Sequence, residues 1–530
     1  MPGVDLRGVV AAGHPLTARA GAEILALGGT AVDAAVAAAF AAAVAESPLT
    51  GPGGGGFLLA HPAGGPATLL DFFVTVPGLG PRGRPLRAED LDTFTVAFGG
   101  ADQVFHIGPA SAAVPGMVPG LCAAAARFGR LPLSDLVGPA VRLAREGVVL
   151  GAESAYLHRI LGDMLTHTPE AAAVYAPGGR LLGAGDRIHH PDLARTLEEI
   201  ARGGAAVADP GGWLAEHLAA GLAARGGLIT SEDVVAYRVV ERTPLAVGYR
   251  DLHLLTNPPP SSGGLLIAAA LGLLAASPPA GADAVAHYRN VARAGRAANR
   301  LRDARFRQGL QEEDFLEDFL ARLQEGEGGT APPEHRRPTG TTHVSVIDAA
   351  GGVASLSSSN GSGSGVMLPG TGFLLNNMLG EEDLNPDGWG TASPGARLTS
   401  MMAPSLLLRA GAPIVALGAA GSNRLRSAIL QTLANIVDSG LGLRAAVARP
   451  RIHPEGDAVD VEAGVPEEAC RALEEEGLRL RRWGAMNLYF GGVGVVGQAE
   501  GGLDGAGDPR RAGAAAAVTA SGEVVEWTGP

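Results

Sequence analysis

The chain has 530 residues, 46% of them hydrophobic, and a formal net charge of -13. That is enough apolar material for a large buried core, and the acidic balance, with no cluster of five or more basic residues, argues against a nucleic-acid surface. No lysine occurs anywhere, which excludes a lysine Schiff base to a pyridoxal cofactor and a phosphate-loop lysine, and with them two large enzyme classes.

In chain order, residues 1–10 contain Asp5 and Arg7 and no apolar run, so they do not read as a secretory signal, and a cytoplasmic location is expected. Residues 9–12 read as a strand and residues 16–27 as a helix stopped by Gly28 and Gly29. Residues 30–45 form a second helix of small residues, interrupted by Asp33 and too short to cross a bilayer. Residues 51–56 lack both the dinucleotide spacing and the phosphate-loop ending. They read as a tight connection into a strand at 57–60, where side chains would obstruct backbone packing. Residues 69–75 read as a buried strand.

Residues 115–128, 133–146, 154–168, 191–203 and 209–224 read as scaffold helices. Residues 247–255 read as one strand. A rigid proline and serine turn at 258–264 precedes the apolar helix 265–275, and Ser261 and Ser262 are assigned to helix capping. Residues 284–308 and 311–325 are helical, and 326–338 form an exposed linker. The only cysteines, Cys122 and Cys470, are far apart with no metal spacing, and both are expected to be reduced.

Residues 338–377 hold the chemistry. From Thr341 to Asp348 the residues alternate, Val344 and Val346 on one face and Thr341, His343 and Ser345 on the other, as in a strand. Residues 349–352 supply a turn and 353–359 a return strand. A turn closed without a bulge sets Thr341 opposite Asn360; a one-residue bulge at the glycines brings Ser359 there. A threonine hydroxyl is a weak nucleophile that needs a base, and its own α-amino group serves if the chain is cut just before it. Gly340 permits the strained backbone that an N-to-O acyl shift needs. His335 and His343 are the nearby imidazoles, and His343 reads as a packed, hydrogen-bonded structural residue. Further on, 361–372 is a glycine- and serine-rich loop, 423–441 a helix, and 458–462 and 492–496 strands.

Thr-Thr-His-Val-Ser-Val-Ile-Asp at 341–348, Leu-Leu-Asn-Asn at 374–377 and Gly-Ala-Ala-Gly-Ser-Asn-Arg at 418–424 resemble the small-subunit motifs of the gamma-glutamyltranspeptidases, members of the N-terminal nucleophile hydrolase superfamily. The blocks His14-Pro-Leu, Gly28-Gly-Thr-Ala-Val-Asp-Ala-Ala-Val, Gly51-Pro-Gly-Gly-Gly-Gly-Phe, Ala113-Val-Pro-Gly, Pro258-Pro-Pro-Ser-Ser-Gly-Gly and Gly507-Asp-Pro-Arg-Arg-Ala-Gly-Ala-Ala fit the same family, in the same order along nearly the whole chain.

The resemblance implies an α+β fold, the four-layer αββα sandwich, cut at the Gly340–Thr341 bond into a large segment, 1–340, and a small segment, 341–530, that remain one interleaved structural domain. It implies a small-molecule γ-glutamyl amide such as glutathione as substrate, with no cofactor, no metal and no nucleic-acid or membrane partner. Thr341 is then the nucleophile and Ser359 orients its hydroxyl. The amides of Gly421 and Ser422 form the oxyanion hole, and Asn360, Glu381, Thr399 and Ser400 grip the glutamyl part, with Glu382 a rival to Glu381. The acyl group passes to water or to an amino acid or peptide. The chain departs from the pattern at Phe73, two residues after Asp71, where relatives place an arginine for the substrate's α-carboxylate; Arg82, Arg84 and Arg87 are candidate replacements. Residues 383–397 are shorter than in relatives with a lid, which predicts an open site. Two alternatives are an amidase of the same fold for another acyl group, as in cephalosporin or glutaryl acylases, and an unprocessed, non-catalytic homologue.

Overall fold

The structure, a computed structural model, describes residues 5–97, 102–209, 211–312, 314–325, 340–385, 387–456, 458–499 and 501–529. The expected linker at 326–338, with His335, lies outside the described residues. Alternating and wholly apolar strands build two antiparallel sheets. One has eight strands in the order Val524–Thr528, Ala514–Thr519, Leu6–Ala12, Gly340–Ile347, Val353–Gly361, Gly55–His61, Thr68–Phe72 and Val240–Arg242. The other has six: Gly502–Gly507, Gly492–Ala499, Ala412–Ala420, Ser405–Arg409, Leu252–Thr256 and Leu245–Tyr249. The sheets face each other, and helices cover both outer faces, Pro15–Ala26 and Ala31–Ala45 on the first sheet, Ser262–Ala275 and Arg424–Val437 on the second. This is the expected αββα sandwich. Each sheet takes strands from both sides of Gly340, and each of the two main hydrophobic cores mixes residues of both segments.

The helix Ala31–Ala45 is buried along its whole length, which its alanines make possible by letting sheet and neighbouring helices approach closely. A Thr30–Asp33 capping box starts it, and Asp348, in the turn of the central hairpin, accepts from Ala31 N at 2.8 Å. One helix end and one hairpin turn thereby satisfy each other's orphan polar groups. The glycines at 53, 54 and 56 lie where a Cβ would strike the carbonyls of Leu374, Ser359 and Ser357, so the cluster serves close backbone packing, as expected.

Two readings need correction. Residues 247–255 are not one strand but a hairpin, Leu245–Tyr249 and Leu252–Thr256, turning at Arg250 in the left-handed region with φ 57°. Nothing at the turn resembles glycine; instead the Arg250 guanidinium bonds Asp438 and the Ala275 and Leu274 carbonyls, contacts that stabilise the unfavourable backbone. Ser261 and Ser262 cap nothing with their side chains: both hydroxyls donate to Ser400 O, at 2.8 and 3.1 Å. The cysteines are free and buried, Cys122 in the core around the first sheet and Cys470 in a third, smaller core.

Candidate active site

Thr341 stands at the start of the central strand Gly340–Ile347 and is 4% exposed. The hairpin runs in the register Ile347↔Val353 to Thr342↔Ser358, and the ladder shifts between Gly340 and Thr342. The bulge therefore falls beside Thr341 itself, not at the glycine turn, and it sends Ser359 and Asn360 to different places. Thr341 Oγ1 donates to Ser359 Oγ at 3.4 Å. Ser359 Oγ accepts from Gly361 N at 2.8 Å and donates to the carbonyl oxygen of Gly340, the acyl half of the expected scissile bond. Asn360 turns away, its Nδ2 reaching Leu374 O and its side chain lying against Gly51 and Gly54.

A cavity with about 390 Å³ of empty space opens on Thr341, walled by Phe73, Ser359, Gly361, Met378, Glu381, Asp383, Leu384, Ser400, Met401, Met402, Ser422, Asn423 and Leu425. Of the residues expected to bind substrate, Glu381 and Ser400 line it; Asn360 and Thr399 do not, although Thr399 Oγ1 is buried without a partner. Glu381 Oε1 accepts from Ser362 N at 3.0 Å and from its hydroxyl at 3.2 Å, which fixes the carboxyl at the wall. Glu382 is drawn off to His106, at 3.1 Å. Ser400 is held by the donors of Ser261 and Ser262, a role their place in the chain gave no hint of.

Gly421 and Ser422 end the strand Ala412–Ala420 and lead into the helix Arg424–Val437, both at positive φ, 129° and 53°. Among the described residues neither N–H donates to a partner, while their carbonyls accept from Arg424 N and Leu425 N. Ser422 lines the Thr341 cavity and Gly421 directly precedes it; idle amides at a helix start suit an anionic oxygen.

Phe73 forms part of the wall, stacked on Phe57 with centroids 5.4 Å apart, so no charge comes from that position. The loop arginines do not replace it: Arg84 pairs with Asp90, and neither Arg82 nor Arg87 lines the cavity. Sequence reasoning missed Asp383 and Asn423 as wall residues. Asn423 directly follows Gly421 and Ser422, the expected oxyanion pair, and that adjacency was the available signal.

A second, larger cavity, about 750 Å³, also reaches Thr341 and carries Glu46, His14 and Arg511. Glu46 accepts from Thr17 at 2.7 Å and from the Thr342 hydroxyl, and burial raises its carboxyl. Arg511 Nη1 donates to Thr341 O at 3.4 Å; burial lowers this guanidinium to about 10. His343 lies between the sheets, its ring nitrogens on Ser357 and Ser345 at 2.8 Å each, and burial pushes it down to about 3, so it is a neutral packing residue. Among the described residues no group of three or more His, Cys, Asp or Glu is placed to hold a metal ion, and no helix is long and apolar enough to cross a membrane.

A family model described as Gamma-glutamyltranspeptidase matches residues 17–518. The Acylase ACY 1 proenzyme of Pseudomonas sp. (strain SE83) is 33% identical over 507 residues, 91% of this chain and 88% of that protein. The Glutathione hydrolase proenzyme of Escherichia coli (strain K12) is 29% identical over 543 residues, 95% and 90%. Among solved structures, cephalosporin acylase from Bacillus halodurans superposes with a TM-score of 0.82 at 26% identity, covering 100% of this chain and 97% of that one.

Proposed function

The chain belongs to the gamma-glutamyltranspeptidase family of N-terminal nucleophile enzymes, and from that premise we propose that it cuts itself before Thr341 and then transfers an acyl group from an amide to water through an ester on Thr341 Oγ1. The observation that carries this is the contact chain Thr341 hydroxyl, Ser359 hydroxyl, Gly340 carbonyl.

In maturation Thr341 Oγ1 adds to the Gly340 carbonyl carbon while Ser359 donates to its oxygen. The C–N bond breaks as the C–O ester forms, and the hydroxyl proton passes to the nitrogen of Thr341. Water then opens the ester, leaving Gly340 as a carboxylate and Thr341 with a free amine and hydroxyl. In turnover that amine, whose unperturbed pKa is about 8, takes the hydroxyl proton as Oγ1 attacks the substrate carbonyl. The oxyanion rests on the N–H groups of Gly421 and Ser422. The proton goes to the departing amine, the acyl group stays on Oγ1, and water releases it as a carboxylic acid; an amino acid or peptide amine in place of water makes the same step a transfer.

The donor expected from the sequence resemblance is a γ-glutamyl amide such as glutathione. Phe73 and a wall without a basic side chain favour the second reading, an acylase for another acyl group, since nothing there pairs with an α-carboxylate. Mass spectrometry of the purified protein tests the shared premise: a fragment beginning at Thr341 is expected, and Thr341→Ala leaves one full-length chain with hydrolysis reduced about 10⁴-fold or more. Active wild-type protein that stays uncut would end the proposal.

A further inference from the structure

The side chains on the wall of the Thr341 cavity are one-sided in charge. Among the described residues its wall carries two carboxyl groups, Glu381 and Asp383, and no cation. Arg397, the guanidinium that contacts Phe73, is committed elsewhere: Nη1 donates to Phe73 O and Tyr237 Oη, Nη2 donates to Arg238 O at 2.6 Å, and Nε faces Asp71 at 3.4 Å. Arg302, Arg424 and Arg426 are within electrostatic reach of Asp383 but line no part of the cavity; Arg424 Nε donates to Tyr489 O and Arg426 Nη1 to Asn299 Oδ1.

Asn423 adds an independent observation. Its Nδ2 donates to Asp383 Oδ2 at 3.0 Å, which assigns the amide's other atom, Oδ1, as an acceptor. That oxygen is buried with no partner, on a wall residue 1% exposed. A buried acceptor left unpaired is destabilising, so the site suits a ligand that donates.

The geometry points to an acyl group that ends in an ammonium with no carboxylate beside it, received by Glu381 and the Asp383–Asn423 pair. This rests on Thr341 being the acylated nucleophile. A primary ammonium has three donors and meets three acceptor groups; a carboxylate in the same place meets two like charges and no donor side chain stronger than the Ser400 hydroxyl. The selection falls on the amine of a γ-glutamyl group and against its α-carboxylate. It rejects a glutaryl group outright.

Four p-nitroanilides of one chain length isolate the two charges: 4-aminobutyryl with the amine alone, glutaryl with the carboxylate alone, γ-glutamyl with both, and butyryl with neither. Rates are corrected with enzyme-free blanks, because the 4-aminobutyryl compound can close to a lactam. The expected order of kcat/KM sets 4-aminobutyryl at least tenfold above butyryl, γ-glutamyl no better than 4-aminobutyryl, and glutaryl last. In Glu381→Gln and Asp383→Asn the ratio of 4-aminobutyryl to butyryl falls towards one, carried by KM, while denaturing electrophoresis still shows the cut at Thr341 as the sign of a correct fold. A tenfold preference for glutaryl or γ-glutamyl over 4-aminobutyryl overturns the assignment, as does a ratio that neither variant changes. Cut protein that hydrolyses none of the four overturns the acyl class and leaves Thr341 as nucleophile. Uncut, inactive protein removes the nucleophile reading and this inference together.

Discussion

Ser359 does two things with one hydroxyl, accepting from Thr341 and donating to Gly340 O, and it can do so because the hairpin bulge lies beside it. Its donor faces the Gly340 oxygen, which would become negative in the proposed acyl shift. Ser359→Ala is therefore expected to slow self-cleavage by about 10²–10³-fold, the cost of losing one preorganised donor. Following the full-length band over time on denaturing gels measures this, and a variant that matures at the wild-type rate would remove Ser359 from the step. Asn360 shows the limit of reading residues by position. Its amide type suits substrate binding, yet the backbone shift of one residue aims it at Leu374 and away from Thr341. Asn423 gained the cavity position through the turn at Gly421 and Ser422, whose positive φ values no side-chain pattern announces.

At the scale of elements, the two sheets meet through a polar layer that is fully satisfied. Ser345 donates to Gly494 O at 3.1 Å and Ser355 to Leu417 O at 3.0 Å, with His343 between its two serines. A Cβ at Gly418, in the facing strand, would land on the His343 ring. The ring is held at both nitrogens and cannot yield without breaking a hydrogen bond, so Gly418→Ala is expected to destabilise the fold by about 1–3 kcal/mol through overpacking. A shift of the denaturant midpoint reads this directly; an unchanged midpoint would mean that the sheets separate freely at that point. The alternation of residues 341–348 was legible because one face meets helices and the other meets a sheet. The Arg250 turn was not, because the bonds that hold it join residues up to 188 positions apart.

At the scale of the whole molecule, burial sets the response to pH. It pushes the imidazoles of His14 and His190 down to about 4 and those of His287 and His343 down to about 3, against about 6.5 in an unfolded chain. Between those values the unfolded state binds more protons, so stability rises with pH from about 4 to about 6.5 and is fully present above that. Glu46, its carboxyl raised by burial, opposes the trend as a single group. The thermal unfolding midpoint is expected to be lower at pH 5 than at pH 7, and an equal or higher midpoint at pH 5 would contradict this account. Both sheets and both main cores take residues from 1–340 and from 341–530, so a chain cut as proposed would remain one body. By itself the sequence determined the hairpin that begins at Thr341 and the close packing at the glycine cluster, because alternation and glycine act over a few residues, and its short motifs carried the family resemblance that implied the αββα architecture. Only the tertiary structure decided which polar groups line the cavity, that Ser261 and Ser262 hold Ser400, and that among the described residues no cation on the cavity wall replaces the arginine missing at Phe73. Those facts depend on strands and loops hundreds of residues apart arriving at one point, where a single shift of register changes what each side chain faces.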